Sequence, residues 1–139
     1  MTLSSQVVSL ELAQKLNELG VKQESLYYWH ESYRGSPMSL VTEAQCAVDA
    51  IRNQTDSERI SAFTVAELGE MLPGRSKRFD TINCALRLDQ TIGSMHRVFY
   101  FDEDKGVFTG ILHEEYGDTE ADARAKMLIY LIEQKLITV

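Results

Sequence analysis

Cysteine is scarce in this sequence. Cys46 and Cys84 are the only two among 139 residues. They are too few for a disulfide framework and are not spaced as a metal pair, so both are expected as reduced, mostly buried thiols, and a structural zinc site is argued against. No run of roughly eighteen apolar residues is present to cross a bilayer. Met1 to Gln6 also lacks the basic start and apolar core of a secretory signal, so the expected location is the cytoplasm. Positive charge is in short supply as well: 14 Lys and Arg against 21 Asp and Glu leave a formal net charge of −7. Such a field repels phosphate backbones, and a nucleic-acid role would need a concentrated basic patch. The one short cluster, Arg75-Ser76-Lys77-Arg78, reads most simply as a solvated loop after a helix. No phosphate-cradling glycine loop, nucleophile elbow or histidine–glutamate zinc motif occurs, nor does any repeat, low-complexity tract or linker.

What remains is the composition of an ordinary globular domain, 44% hydrophobic and 25% charged, of a length that fits one core and a single domain over 1–139. Leu12, Leu16 and Leu19 recur at helical spacing, predicting a helix over Ser9 to Leu19 with Ser9 as its cap. Gly20 ends it, and Val21 folds back onto Leu16 in a Schellman-type stop. The aromatic stretch Leu26 to Tyr33 predicts a strand, Arg34 to Pro37 a turn, and Met38 to Val41 a second short strand. Ala44, Ala47, Val48 and Ile51 predict a helix within Thr42 to Asn53, followed by an exposed polar connection to Arg59. Thr64-Val65-Ala66-Glu67 spells a capping box, with Phe63 and Leu68 as its hydrophobic staple and Pro73 as the stop.

Between Ile82 and Tyr116, three alternating segments joined at Gly93-Ser94 and at Glu103 to Gly106 read as an antiparallel meander. Pairing Ile92 with Met95 and Asp102 with Val107 sets the register. It puts Leu86, Leu88, Phe99, Phe101, Phe108 and Leu112 on one core face, with Gly110 opposite Phe99. A second capping box, Thr119 to Asp122, opens a final helix to about Leu136, whose stripe of Ala121, Ala125, Leu128, Ile129, Leu131, Ile132 and Leu136 would cover that aromatic face. The expected fold is α+β: an antiparallel meander of three to five strands packed on one face by the N- and C-terminal helices.

Three segments resemble short uncharacterised proteins of bacteriophage and prophage genomes. They are Val8 to Ala13 continuing through Gly20-Val21-Lys22-Gln23-Glu24-Ser25 to Trp29, then Ser61 to Pro73, and Asp118 to Leu128. The resemblance implies a phage or prophage origin, a bacterial host cell and a full-length single-domain protein. It implies no activity and no assigned catalytic or binding residues.

Chemistry is sparse. The register sets His96 directly across from His113, with Glu115 on the same face, so the pair could share a metal or a proton. The simpler reading is two surface histidines. Asp102 to Gly106 looks like a calcium loop, but its glycine is one position early and His113 stands where a bidentate glutamate is needed, which leaves a solvated hairpin tip. Ala13 to His30 has a helix-turn-helix flavour, contradicted by the strand-forming Tyr27-Tyr28-Trp29. Cys84 falls on the expected core face, an inert thiol. Tyr27, Tyr28, Trp29, Tyr33, Met127 and Tyr130 exceed what one core face requires and are interface candidates, although a second layer of the same domain would also account for them. The expectation is therefore a non-enzymatic accessory protein without cofactor that binds another protein or forms a homodimer. A nucleic-acid-binding regulator and a metal-dependent or histidine-based enzyme are the alternatives.

Overall fold

The computed structural model describes residues 2–33, 35–53, 58–76 and 85–139. The fold is α+β, built from two antiparallel sheets and their helices. The first sheet has the order β2-β1-β3, formed by β1 (Tyr27–Glu31), β2 (Met38–Thr42) and β3 (Arg59–Ser61). The second has the order β4-β5-β6-β7, formed by β4 (Arg75–Ser76), β5 (Ala85–Ile92), β6 (Met95–Asp102) and β7 (Ile111–Gly117). The helices are α1 (Leu10–Glu18), α2 (Glu43–Asn53), α3 (Val65–Met71), the single turn α4 (Gly106–Thr109) and α5 (Glu120–Glu133), after a 3-10 turn at Leu3–Ser5.

Local chemistry sets most boundaries. Gly20 adopts φ +89°, and the amides of Gly20 and Val21 donate to the carbonyls of Asn17 and Leu16, which is the Schellman stop in full. Thr64 and Glu67 form the reciprocal capping box, and Phe63 and Leu68 are fully buried beside it. Glu67 also accepts from the amide of Leu26 at 3.0 Å, tying the start of α3 to the strand region before β1. At the second cap Thr119 receives the Asp122 amide at 3.1 Å. The Asp122 carboxylate, too short to reach back comfortably, instead accepts from the amide of Ser9 at 2.8 Å. Ser9 itself makes no side-chain cap; the aspartate of α5 serves the opening of α1.

The long helix is central rather than peripheral. Ala121, Ala123, Ala125, Met127, Leu128 and Leu131 are all buried, because α5 packs on β6 and β7 and also against α1 and α3. A single apolar stripe therefore underestimated it, and the regular helix stops at Glu133, short of Leu136. Met127, an interface candidate on sequence grounds, is 0% exposed and lies in the core.

Two further expectations need correction. The Ile92–Met95 register holds along the whole β5–β6 pair, but the face that meets α5 is the other one: Ala85, Val98 and Tyr100 belong to the core cluster. Leu86, Leu88, Phe99 and Phe101 share the opposite face by strand alternation. Polar groups decided this. Arg87 on the α5 side donates to the carbonyls of Gly69 and Leu72 at 2.9 and 3.0 Å, satisfying orphan acceptors at the end of α3. Arg124 of α5 reaches Asp89 at 2.8 Å and the Val65 carbonyl at 2.7 Å, and the Tyr100 hydroxyl donates to the Pro73 carbonyl.

The second connection is not a tight hairpin. After Asp102 the chain forms α4, and β7 then pairs with a bulge between Tyr100 and Phe101, so Phe101 faces Ile111 and Tyr100 faces His113. Asp102 does not pair with Val107, and Phe108 is 98% exposed rather than in a core. Gly110 is required by the return of α4, not by Phe99: a Cβ there would meet the Gly106 carbonyl oxygen at 2.7 Å. The polar stretch before Arg59 leads into β3, a strand not anticipated from sequence, while 54–57 lie outside the described residues. Arg75 and Ser76 form β4 against β5 instead of a loop; Lys77, Arg78 and Cys84 lie outside the described residues.

Candidate interaction surface

The histidine pair does not form. His96 faces Gly117 and His113 faces Tyr100, since α4 and the bulge move β7 away from the expected register. His96 lies 3.3 Å from the Thr91 hydroxyl. His113 is stacked on Tyr130 at 3.4 Å between centroids and contacts Glu115 at 2.9 Å. Each has a local structural partner. Among the described residues no group of three or more His, Cys, Asp or Glu is arranged to hold a metal ion.

The third histidine, not singled out from sequence, is the buried one. His30 of β1 lies 3.8 Å from Asp49 of α2, with both side chains buried, and Asp49 also accepts from Gln45 at 2.9 Å. Arg59 of β3 crosses the Tyr28 ring at 4.6 Å and faces Glu43 at 3.8 Å. Beside them, burial pushes the Cys46 thiol up, with Arg59 pulling the other way. The net direction keeps the thiol protonated, the opposite of what a nucleophilic cysteine needs. The alternation of Tyr28 and His30 along β1 was the available signal that both face α2.

Of the aromatic candidates, Tyr28 is buried, Trp29 donates its indole N–H to the Val8 carbonyl at 3.0 Å, and Tyr130 is stacked on His113. Those three, with Met127, are engaged within the domain itself. Tyr27 is half-buried and Tyr33 exposed.

The apolar surface that remains lies elsewhere. Strand alternation and register put Leu86, Leu88, Gln90 and Ile92 of β5, Met95, Arg97, Phe99 and Phe101 of β6, and Ile111, Glu114 and Tyr116 of β7 on one sheet face. Leu88, Ile92, Met95, Ile111 and Tyr116 are exposed there, and Val107 and Phe108 of α4 adjoin its Ile111 end. Scattered apolar side chains on a surface need no explanation; a contiguous group on one sheet face does. At its middle Arg97 lies 4.1 Å over the Phe99 ring and 5.9 Å from that of Tyr116, paired with Glu114. Phe99 is fully buried beneath it, and the guanidinium, mostly withdrawn from water and paired with Glu114, is a poor phosphate contact. Sequence reasoning grouped Leu86, Leu88, Phe99 and Phe101 on one face but placed it beneath α5, and on β7 it assigned Leu112 rather than Ile111 to that face.

Comparison with known proteins found no matching family model, curated protein or solved structure. Among the described residues no helix is long and apolar enough to cross a membrane.

Proposed function

We propose that this chain is a small non-enzymatic accessory protein, of the phage or prophage kind its sequence resembles, which works in the cytoplasm of a bacterial host by binding another polypeptide. The supporting observation is the exposed apolar face of the β5–β6–β7 sheet, with Leu88, Ile92, Met95, Ile111 and Tyr116 accessible across three strands. Exposed apolar side chains gathered on one sheet face are what protein interfaces bury. A net charge of −7 and an Arg97 already paired with Glu114 both weigh against nucleic acid as the occupant.

The test is site-specific photo-crosslinking in bacterial cells, with a benzophenone side chain at Leu88 or Ile111 and, as a control, at exposed Glu18 on α1. The expected result is a crosslink to polypeptide from the two sheet positions and none from Glu18. Absence of crosslinks from the sheet positions, or crosslinks to nucleic acid, overturns the reading.

A further inference from the structure

We propose that the outer edge of β2 is a binding site separate from the β5–β6–β7 face, where an extended segment of another polypeptide adds as a further strand to the β2-β1-β3 sheet. The argument is backbone direction. The Ala62 amide donates to the Tyr27 carbonyl at 2.9 Å, so Tyr27 and Trp29 direct their backbone groups toward β3, and Tyr28 and His30 between them direct theirs toward β2. Tyr28 pairs with Val41 and His30 with Ser39. Met38 and Leu40 therefore turn both backbone groups away from β1, and Thr42 turns its amide the same way. Among the described residues none of these outward groups has a hydrogen-bond partner. A row of open donors and acceptors at strand spacing is the complement of another extended backbone.

The other described edges are guarded. β3 has three residues, and the Ser61 amide, which points outward there, is capped by Gln23 Oε1 at 2.8 Å. β4 has two residues, and β5 beyond it bears Asp89, held by Arg124. β7 carries His113, Glu114 and Glu115, and Lys126 donates to its Tyr116 carbonyl at 2.9 Å. Short strands, charges and side-chain caps are the devices that keep edges from pairing. β2, Met-Ser-Leu-Val-Thr, has no charge, no proline and no bulge over its five residues. Its side chains set the chemistry of the added strand. Leu40 lies across from Trp29, both half-buried, so a β-branched or aliphatic residue beside Leu40 extends that row. Ser39 on the other side is exposed and is matched by a short polar residue. The fitting ligand is thus an uncharged segment alternating apolar and small polar residues.

Amide hydrogen exchange of the full chain, read by NMR, tests this. The probe is a peptide of about seven residues that alternates threonine and valine between terminal lysines. In the free chain the amides of Ser39 and Val41 are expected to be protected and those of Met38, Leu40 and Thr42 open. The peptide should slow the latter three by at least about tenfold. A copy of it N-methylated at two adjacent residues, which blocks both of its edges, should leave them open. Leu40→Pro removes the central outward donor without touching a bond to β1, the position at which an edge strand accepts proline. It should bind the peptide about tenfold more weakly. Should it fail to fold, as circular dichroism would report, the exchange pattern of the unaltered chain decides alone.

No slowing with the peptide, equal slowing by the methylated copy, or Met38, Leu40 and Thr42 amides already slow in the free chain at every dilution overturns the inference. Peptide-induced shifts on β5, β6 and β7 in place of β2 overturn it too, while leaving the sheet face standing. Protection that arises without peptide and is lost on dilution makes the occupant a second copy and removes the partner strand.

Discussion

Two residues sit in unusual states. Lys135, just past the end of α5, has φ +58°, the only positive-φ residue other than glycine among those described. It occupies the left-handed position of a Schellman stop, with the Leu136 amide donating to the Leu131 carbonyl at 2.9 Å. A side chain there costs what glycine does not, so Lys135→Gly is expected to raise stability by about 0.5–1 kcal/mol in urea unfolding. Tyr100 is fully buried, and burial pushes its phenol above the usual range. The native state therefore favours the neutral form. Its contribution is complete below the unfolded value of about 10 and is lost as pH rises beyond it. Tyr100→Phe forfeits the bond to the Pro73 carbonyl, at about 1 kcal/mol near neutrality. Urea titrations above about pH 10 should find the variant losing stability less steeply than the wild type.

At the scale of elements, the legible features were those whose cause is local. Thr64 with Glu67, Gly20 with Val21, and Gly93 between Ile92 and Met95 are read from positions a few residues apart, and each is present. The side of the sheet that meets α5 was not legible in this way. Leu86, Leu88, Phe99 and Phe101 are the more apolar set, yet the face with Arg87 and Asp89 is inside because α3 carbonyls and Arg124 satisfy those charges across long sequence distances. The candidate site was half legible for the same reason: its β5 and β6 residues were grouped correctly with their environment inverted, while on β7 the bulge brought Ile111 to this face in place of Leu112. His30 was missed because its partner Asp49 lies on another element. Asp122 belongs to both categories, capping locally through Thr119 and accepting remotely from Ser9. Asp122→Ala is expected to cost about 1–2 kcal/mol, and Asp122→Asn, which keeps an acceptor, less. Paired denaturation curves decide it.

For the whole molecule, the division between core and surface makes a separable prediction. Leu88 and Ile111 are exposed, so Leu88→Lys and Ile111→Lys should each change stability by no more than about 0.5 kcal/mol while weakening capture of the proposed polypeptide partner. A loss of several kcal/mol in differential scanning calorimetry would place these residues in the core instead.

The position of α5 has a consequence for how the protein is made. Residues 120–133 lie among β6, β7, α1 and α3, although they leave the ribosome after all four. Until they clear the exit tunnel, the core lacks every buried side chain of α5, and the sheet face of Ala85, Val98 and Tyr100 waits without its cover. Folding of this core thus waits until α5 has been made, and an emerging chain paused before Thr119 is the form that chaperones and proteases would meet.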